Sequence, residues 1–556
     1  MIRKTPVALG FLNGPWLDMV RMFRSSVSRV AALWPVLWAP AFGLFALAVA
    51  AVTGGLSTSF LDPDESAHYV NTLFLADWLR AGLPAPIAYA RDYYAHFPKL
   101  SIGHWPPGWY ALLAPSFAIV RPSVFGAAVL SAFIAGLPAL LVAWALDRAG
   151  RRSWGLVAGF AYLLLPLVAE EARYFRLDQP VALAVGLAAI AWWRAVDRPG
   201  LRRYLAFGAL AAFATLVKGN GALVMLVPAL DIAMAARWRQ LRDMRLWIAA
   251  AATLLAVAPW YVVSFKISAG GFNYAPGPAY AWLSLTTDAA ALEAAVGWFG
   301  IASALVGIVL GWRDPATRPM VRLSLAVIVA TLVFQAAIPV ALEDRYALPA
   351  MPWLVVLVAF GLLGIARQAR TATLGALLLA VAIVGPAILA LAHRAPKPDS
   401  GAPAIAAAMA RAPGIWLIDG RAGGEGAVIA AAAYADDGAR TLWVARASQW
   451  LSTSDFMGNG YALSVHGPAE ARAVLDRLGV RGVVSIAERG HLAYPHSALL
   501  RGAVAISGFA VTTQPFAVGS GSIEIATRIA PIAARPDLLA GGSGSHNVAA
   551  MGATFR

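Results

Sequence analysis

Apolar stretches of about 18 residues or more recur through roughly the first three quarters of this chain, each long enough to carry a helix across a bilayer. Backbone inside lipid must satisfy its own hydrogen bonds, so only helices or closed barrels span it, and runs of this length select helices. The apolar runs fall at about 31–55, 122–147, 153–169, 177–196, 204–217, 219–236, 246–265, 294–312, 321–341, 347–366 and 373–392. The reading is an α-helical polytopic membrane protein with about 11 transmembrane helices. Composition agrees: the chain is 60% hydrophobic and 13% charged, where a soluble domain carries about 25% charged residues.

The net charge of +15 comes from Arg and Lys gathered in short segments between the apolar runs, at 148–152, 194–203, 237–245, 313–322 and 367–370. Such segments mark the cytoplasmic side. The basic N-terminus (1–30, with Arg3, Lys4, Arg21, Arg24 and Arg29) shares that side, and everything after about His393 falls outside. The first apolar run is too long for a signal-peptide core, so it reads as an uncleaved helix. No basic stripe interleaved with aromatics appears, so membrane lipids rather than nucleic acid are the expected partners of this charge. Cysteine is absent, which excludes disulfides and thiolate metal sites.

Beyond about Pro396 the pattern changes. Short strands at 415–419, 441–444 and 482–486 alternate with helical segments such as 468–478, and 509–513 with 522–527 read as a closing hairpin. This alternation predicts a small α/β domain over 396–540 with a mainly parallel sheet, followed by a Gly/Ser-rich disordered tail at 541–556. The transmembrane domain is then 31–395, with a long first outside loop at 56–121. Its stretch at 67–79 has helix-like spacing and suits either an interfacial helix or one packed on the bundle. The loop Gly420-Arg421-Ala422-Gly423-Gly424-Glu425-Gly426 lacks G-x-G-x-x-G spacing, so no nucleotide cofactor is expected there. Acceptor binding, or a lid over the site, suits this domain better.

Under that topology Asp62, Asp64, Glu65, Asp92, Glu170, Glu171, Asp178, Glu343 and Asp344 all fall at outside ends or loops. Charges near membrane depth are costly and mark functional candidates; solvated loop ends are the plainer alternative. Asp64, in Leu61-Asp62-Pro63-Asp64-Glu65, is either the N-cap of the next helix or a general base. His104-Trp105-Pro106-Pro107 reads as a rigid turn opening a helix, with His104 a candidate ligand. Asp178, beside Arg176, is either half of a surface ion pair or a group that holds hydroxyls. Lys218 sits at a break between two short spans, and Arg345-Tyr346 precedes two prolines. Both cations suit a phosphate leaving group, or they snorkel at helix ends.

Taken in order, Asp64-Glu65, Pro106-Pro107, Asp178 before Gln179-Pro180, Lys218-Gly219 and Arg345-Tyr346-x-x-Pro349-x-x-Pro352 resemble the GT-C superfamily of polyprenyl-phosphate-dependent glycosyltransferases. Nearest in pattern are protein O-mannosyltransferases, lipid A aminoarabinose transferases and lipopolysaccharide-core transferases. The resemblance covers roughly 30–395 and implies a GT-C type fold in a bacterial inner membrane, with the C-terminal α/β domain periplasmic. It implies an inverting glycosyltransferase that moves a sugar from a polyprenyl-phosphate donor to a hydroxyl on lipopolysaccharide, another surface glycan, a lipid or a protein. Asp64 would be the base and Asp178 would support it or orient the acceptor. Lys218 and Arg345 would hold the lipid phosphate, and Glu65, His104 and Tyr346 would contact substrate. The chain departs from the pattern where aminoarabinose transferases have Lys-Pro-Pro: His104-Trp105 stands there, with Lys99 further upstream. Some relatives bind a divalent metal near the acidic pair, so a metal is left open. A transporter or flippase of a lipid-linked saccharide is the alternative, but such proteins place charges near the midplane of paired repeats.

Overall fold

The computed structural model describes residues 36–368, 385–454, 460–487, 492–506, 508–516 and 521–540. The leader at 1–30, most of the last apolar run (373–384) and the tail at 541–556 lie outside the described residues. Among those described, six helices are long and apolar enough to cross a membrane: Val124–Arg148, Asp178–Asp197, Met244–Phe265, Pro278–Arg313, Arg318–Ala337 and Asp344–Ala366. Shorter apolar helices occupy Ala39–Val52, Gly108–Ile119 and Gly219–Met234. The chain is a multi-pass membrane protein.

Proline and glycine account for the runs that do not form one straight helix. The run at 153–169 splits into Arg152–Leu163 and Pro166–Glu171, because Pro166 cannot donate to the preceding turn. The run at 294–312 is the second half of Pro278–Arg313, which kinks at Gly297 (φ 67°). Small residues also set how closely helices pack. A Cβ on Gly361 would stand 1.8 Å from the Ser303 carbonyl, and one on Gly307 2.0 Å from that of Leu357. Backbone therefore meets backbone between Pro278–Arg313 and Met351–Gln368.

The stretch at 67–79 belongs to a helix, Pro63–Arg80, whose residues from Glu65 to Phe74 are buried. It packs between Gly108–Ile119 and Ala422–Ala435, so it is an internal helix and does not lie in the lipid interface.

After helix Ala402–Arg411 the chain forms β1 (Gly414–Asp419), β2 (Leu442–Arg446), β3 (Ser452–Thr453), β4 (Ala462–Leu463), β5 (Val480–Ala487), β6 (Phe509–Phe516) and β7 (Gly521–Arg528). The main sheet runs β2-β1-β5-β7-β6. β1 is parallel to β2 and β5, while β7 is antiparallel to both β5 and β6. The sheet is therefore mixed where a mainly parallel one is expected, because the closing hairpin inserts its second strand beside β5.

This α/β segment is bolted to the loop at 56–121. Arg121 bonds Asp77 at 2.5 Å and the Ala433 carbonyl at 2.7 Å, and Arg440 pairs with Asp92. Asp399 accepts from Thr58 and Ser59 at 2.5 and 2.9 Å. The glycines of the 420–426 loop serve the same docking. A Cβ on Gly423 would lie 2.0 Å from the Leu61 carbonyl, and one on Gly426 2.2 Å from Ser66 Oγ.

Candidate functional site

The site begins with how Asp62-Pro63 starts a helix. Pro63 fills the first helical position, where its missing N–H costs nothing, and Asp62 is the N-cap. Its Oδ1 accepts the backbone N–H of Asp64 at 3.0 Å and of Glu65 at 3.3 Å. Capping is thus done by Asp62, and the Asp64 carboxylate is left to other work. Arg176 pins the cap, reaching Asp62 at 2.6 Å and Glu171 at 2.9 Å. Burial pushes Asp62 up, but Arg176 outweighs it and holds the carboxyl below its ordinary range. Burial pushes Glu171 up to about 7 despite Arg176.

Asp64 sits 2.8 Å from Arg345 Nη2. Arg345 Nη1 lies 3.9 Å from Asp178 Oδ2, and Asp178 Oδ1 accepts from Lys218 Nζ at 2.5 Å. Tyr346 presents its ring to both cations, 4.8 Å from Lys218 Nζ and 5.6 Å from the Arg345 guanidinium. Five residues from four separate segments thus form one contact chain. Asp178 and Arg345 are buried, at 2% and 9% exposure, while Asp64 at 26% is the carboxylate of the chain that solvent reaches. Two of its buried atoms, Arg345 Nη1 and Asp178 Oδ2, have no hydrogen-bond partner. A buried donor and acceptor left unmade are costly, which suits a site completed by a polar ligand.

Local sequence explains the placement. Lys218 ends helix Leu201–Val217 in extended backbone (φ −154°, ψ 144°) before the 3₁₀ stretch Gly219–Leu226. The turn at Pro106-Pro107 opens helix Gly108–Ile119 as expected. Gly108 lets that helix abut the Leu216 carbonyl, 2.6 Å from where a Cβ would stand, and so braces the segment that carries Lys218. Arg345 and Tyr346 lie on a 3₁₀ turn, Asp344–Ala350, ahead of helix Met351–Gln368.

Two expected site residues do not join this chain. Glu65 is fully buried; its carboxylate takes Lys397 Nζ at 2.7 and 2.9 Å and the Phe175 N–H at 2.8 Å. These partners occupy the carboxylate, which ties the post-bundle segment to the site helix. His104 packs edge-on to Trp105 at 4.5 Å and against the Gly271 backbone. Burial, only partly offset by Asp64 and a bond to the Ile267 backbone, lowers its pKa. The pairing of Asp178 is also not with its neighbour Arg176: Asp178 takes Lys218, and Arg176 takes Asp62 and Glu171. Because Glu65 is occupied, the acidic pair does not offer two carboxylates to one ion. Among the described residues no group of three or more His, Asp or Glu could hold a metal.

The sequence reading counts Asp62 only among the acidic candidates at that face, with no role of its own, and gives Arg176 and His68 no functional role. The Asp-Pro dipeptide was the available signal for Asp62, since proline after a capping residue marks a helix start. His68 lies one turn after Asp64; its Nδ1 bonds Tyr110 Oη at 2.7 Å and its ring packs on Trp105 at 4.6 Å. Nothing in the sequence pattern distinguishes it from a core histidine.

Residues 104–262 match the family described as dolichyl-phosphate-mannose-protein mannosyltransferase. No curated protein matches the chain. Among solved structures, ArnT from Cupriavidus metallidurans bound to undecaprenyl phosphate is 14% identical with a TM-score of 0.54, covering 88% of this chain and 99% of ArnT. Its apo form gives 14% and 0.52, covering 89% and 98%. An Archaeoglobus fulgidus oligosaccharyltransferase, in complex with Zn and sulfate, gives 14% and 0.50, covering 80% and 67%. At such identities the likeness is one of fold. The resemblance to the GT-C superfamily, read from five short segments, is borne out: the chain carries the GT-C fold.

Proposed function

We propose that this chain is an inverting glycosyltransferase, transferring a hexosyl or pentosyl group from a polyprenyl-phosphate donor to a hydroxyl acceptor. It acts at the periplasmic face of a bacterial inner membrane, with the N-terminus cytoplasmic and the C-terminal α/β segment periplasmic. The observation that carries this reading is the contact chain Asp64–Arg345–Asp178–Lys218, in which the solvent-reached Asp64 pairs with Arg345 and the buried Asp178 links Arg345 to a second cation, Lys218. The undecaprenyl phosphate bound to ArnT, which shares this fold, supports a lipid-linked donor.

The chemistry follows from charge. As the acceptor oxygen bonds to the anomeric carbon, its proton passes to Asp64 and the bond from that carbon to the donor phosphate breaks. The leaving phosphate gains negative charge, which Lys218 and Arg345 offset. In the free protein Arg345 is held by Asp64 and Glu343. An incoming phosphate competes for its guanidinium and so releases the Asp64 carboxylate to act as base. Asp178 keeps Lys218 and Arg345 aimed together.

The test is transfer by membranes carrying wild type or Asp64→Asn, supplied with radiolabelled undecaprenyl-phosphate sugars. The variant is expected at normal abundance with activity lower by about 10²–10⁴-fold, the range for losing a general base. Full activity in the variant would remove Asp64 from the mechanism.

A further inference from the structure

Three lysines have described side chains, and two of them are paired: Lys218 with Asp178 and Lys397 with Glu65. The Lys99 ammonium has no hydrogen bond or ion pair among the described residues, although the side chain is half-buried. It lies where the first outside loop meets the α/β segment, its Cε 3.1 Å from the point that a Gly426 Cβ would occupy. The charges that act on it come from both sides of this seam: Arg446 and Glu425 from the α/β segment, Asp64 and Asp62 from the site helix. Burial, reinforced by Arg446, pushes its ammonium down to about 8, so its charge is poorly compensated.

The seam lies at the carboxyl ends of β1 and β2. Strand order β2-β1-β5 makes the β1/β5 edge the switch point of the parallel part, the place where open α/β sheets take ligands. Arg446 ends β2 and is held by Glu425 at 2.7 Å, while the other Glu425 oxygen is buried without a partner. Arg421, in the turn after β1, is exposed and its guanidinium has no partner among the described residues. Tyr494 feels Glu425, Arg446, Arg421 and Asp419 together, which places Arg421 at the rim of the same cluster.

We propose that Lys99, with Arg421 at its rim, is a subsite for an anionic group, a phosphate or carboxylate, that the acceptor carries apart from its reacting hydroxyl. The inference rests on the glycosyl-transfer reading and narrows the acceptor to an acidic saccharide or glycolipid. The donor phosphate already has Lys218 and Arg345 on the bundle side, whereas Lys99 faces the α/β segment. The short reach from Lys99 to the Asp64 helix lets one sugar present its hydroxyl to Asp64 while its anion is held.

The experiment uses the full chain in nanodiscs, with wild type, Lys99→Ala, Lys99→Arg and Lys218→Ala. Binding of glucose 6-phosphate, glucuronate and glucose is titrated, and undecaprenyl phosphate binding and thermal unfolding are measured on the same samples. Wild type is expected to bind at least one of the two anionic sugars about tenfold tighter than glucose, the gain of one charged hydrogen bond. Lys99→Ala should lose that preference, Lys99→Arg and Lys218→Ala should keep it, and undecaprenyl phosphate binding should fall only in Lys218→Ala. The proposal is overturned if neither anion binds better than glucose, or if Lys99→Ala keeps the preference. It is equally overturned if Lys99→Ala loses undecaprenyl phosphate, which would assign Lys99 to the donor, or lowers the unfolding temperature alone, which would make it a structural partner of Glu425. Failure of Asp64→Asn to inactivate transfer would sink the functional reading separately, without touching these sugar titrations.

Discussion

Asp64 carries the functional reading, and one neighbour decides whether it can. From sequence, Asp64 is equally well an N-cap or a base; the Asp62 side chain takes both capping N–H groups and removes the first alternative. His68, one turn on, is a second residue whose role depends on burial. Burial pushes its imidazole down to about 3, against about 6.5 when unfolded. The unfolded chain therefore binds a proton that the folded chain refuses. The stability involved is complete above pH 6.5 and is lost as pH falls from 6.5 toward 3, amounting to about 2 kcal/mol at pH 5. The thermal midpoint of wild type should fall more steeply between pH 7 and pH 5 than that of His68→Asn; parallel slopes would show that His68 is protonated in the fold.

At the scale of elements, the site depends on irregular backbone at helix ends. Lys218 sits where a helix gives way to 3₁₀ backbone and Arg345 on a 3₁₀ turn that opens the next helix, and both cations reach Asp178. These breaks were legible, since Lys218-Gly219 and the prolines at 349 and 352 interrupt apolar runs. What they face was not, because pairing across segments depends on packing that no local pattern encodes. The docking of Ala422–Ala435 on the first loop is similar. Its glycines resemble a ligand loop in sequence, yet they are contact points for Leu61 and Ser66. Gly423→Ala should cost about 1–3 kcal/mol, as overpacking does, and should speed proteolytic release of the α/β segment. Unchanged proteolysis would mean that the helix does not seat there.

Across the whole molecule, lipid exposure is uneven. The apolar span Met244–Phe265 is mostly unburied within the protein, and Leu254, Leu255 and Val262 on it are exposed. Such a face is stable only against lipid. Leu255→Arg near mid-helix should cost about 2.5–3.5 kcal/mol of insertion, read as less membrane-integrated protein, while Leu255→Phe should insert normally; equal insertion of both would place this face against protein. The α/β segment, held by Arg121, Arg440, Lys397 and Asp399, forms a fixed wall beside the site.

By itself the amino-acid order determined the membrane class, the positions of most helices and strands, and the four segments that meet at the site. These follow from local rules: apolar length, strand period, proline and glycine breaks, and charges set at helix ends. Only the tertiary structure decided which carboxylate caps and which stays available, that Glu65 is consumed by Lys397, and that Arg176 serves Asp62 and Glu171 in place of Asp178. The physical reason is that an ion pair is chosen by distances between segments far apart in the chain. A one-residue step along a helix turns a side chain by about 100°, enough to send Asp64 and Glu65 to different partners.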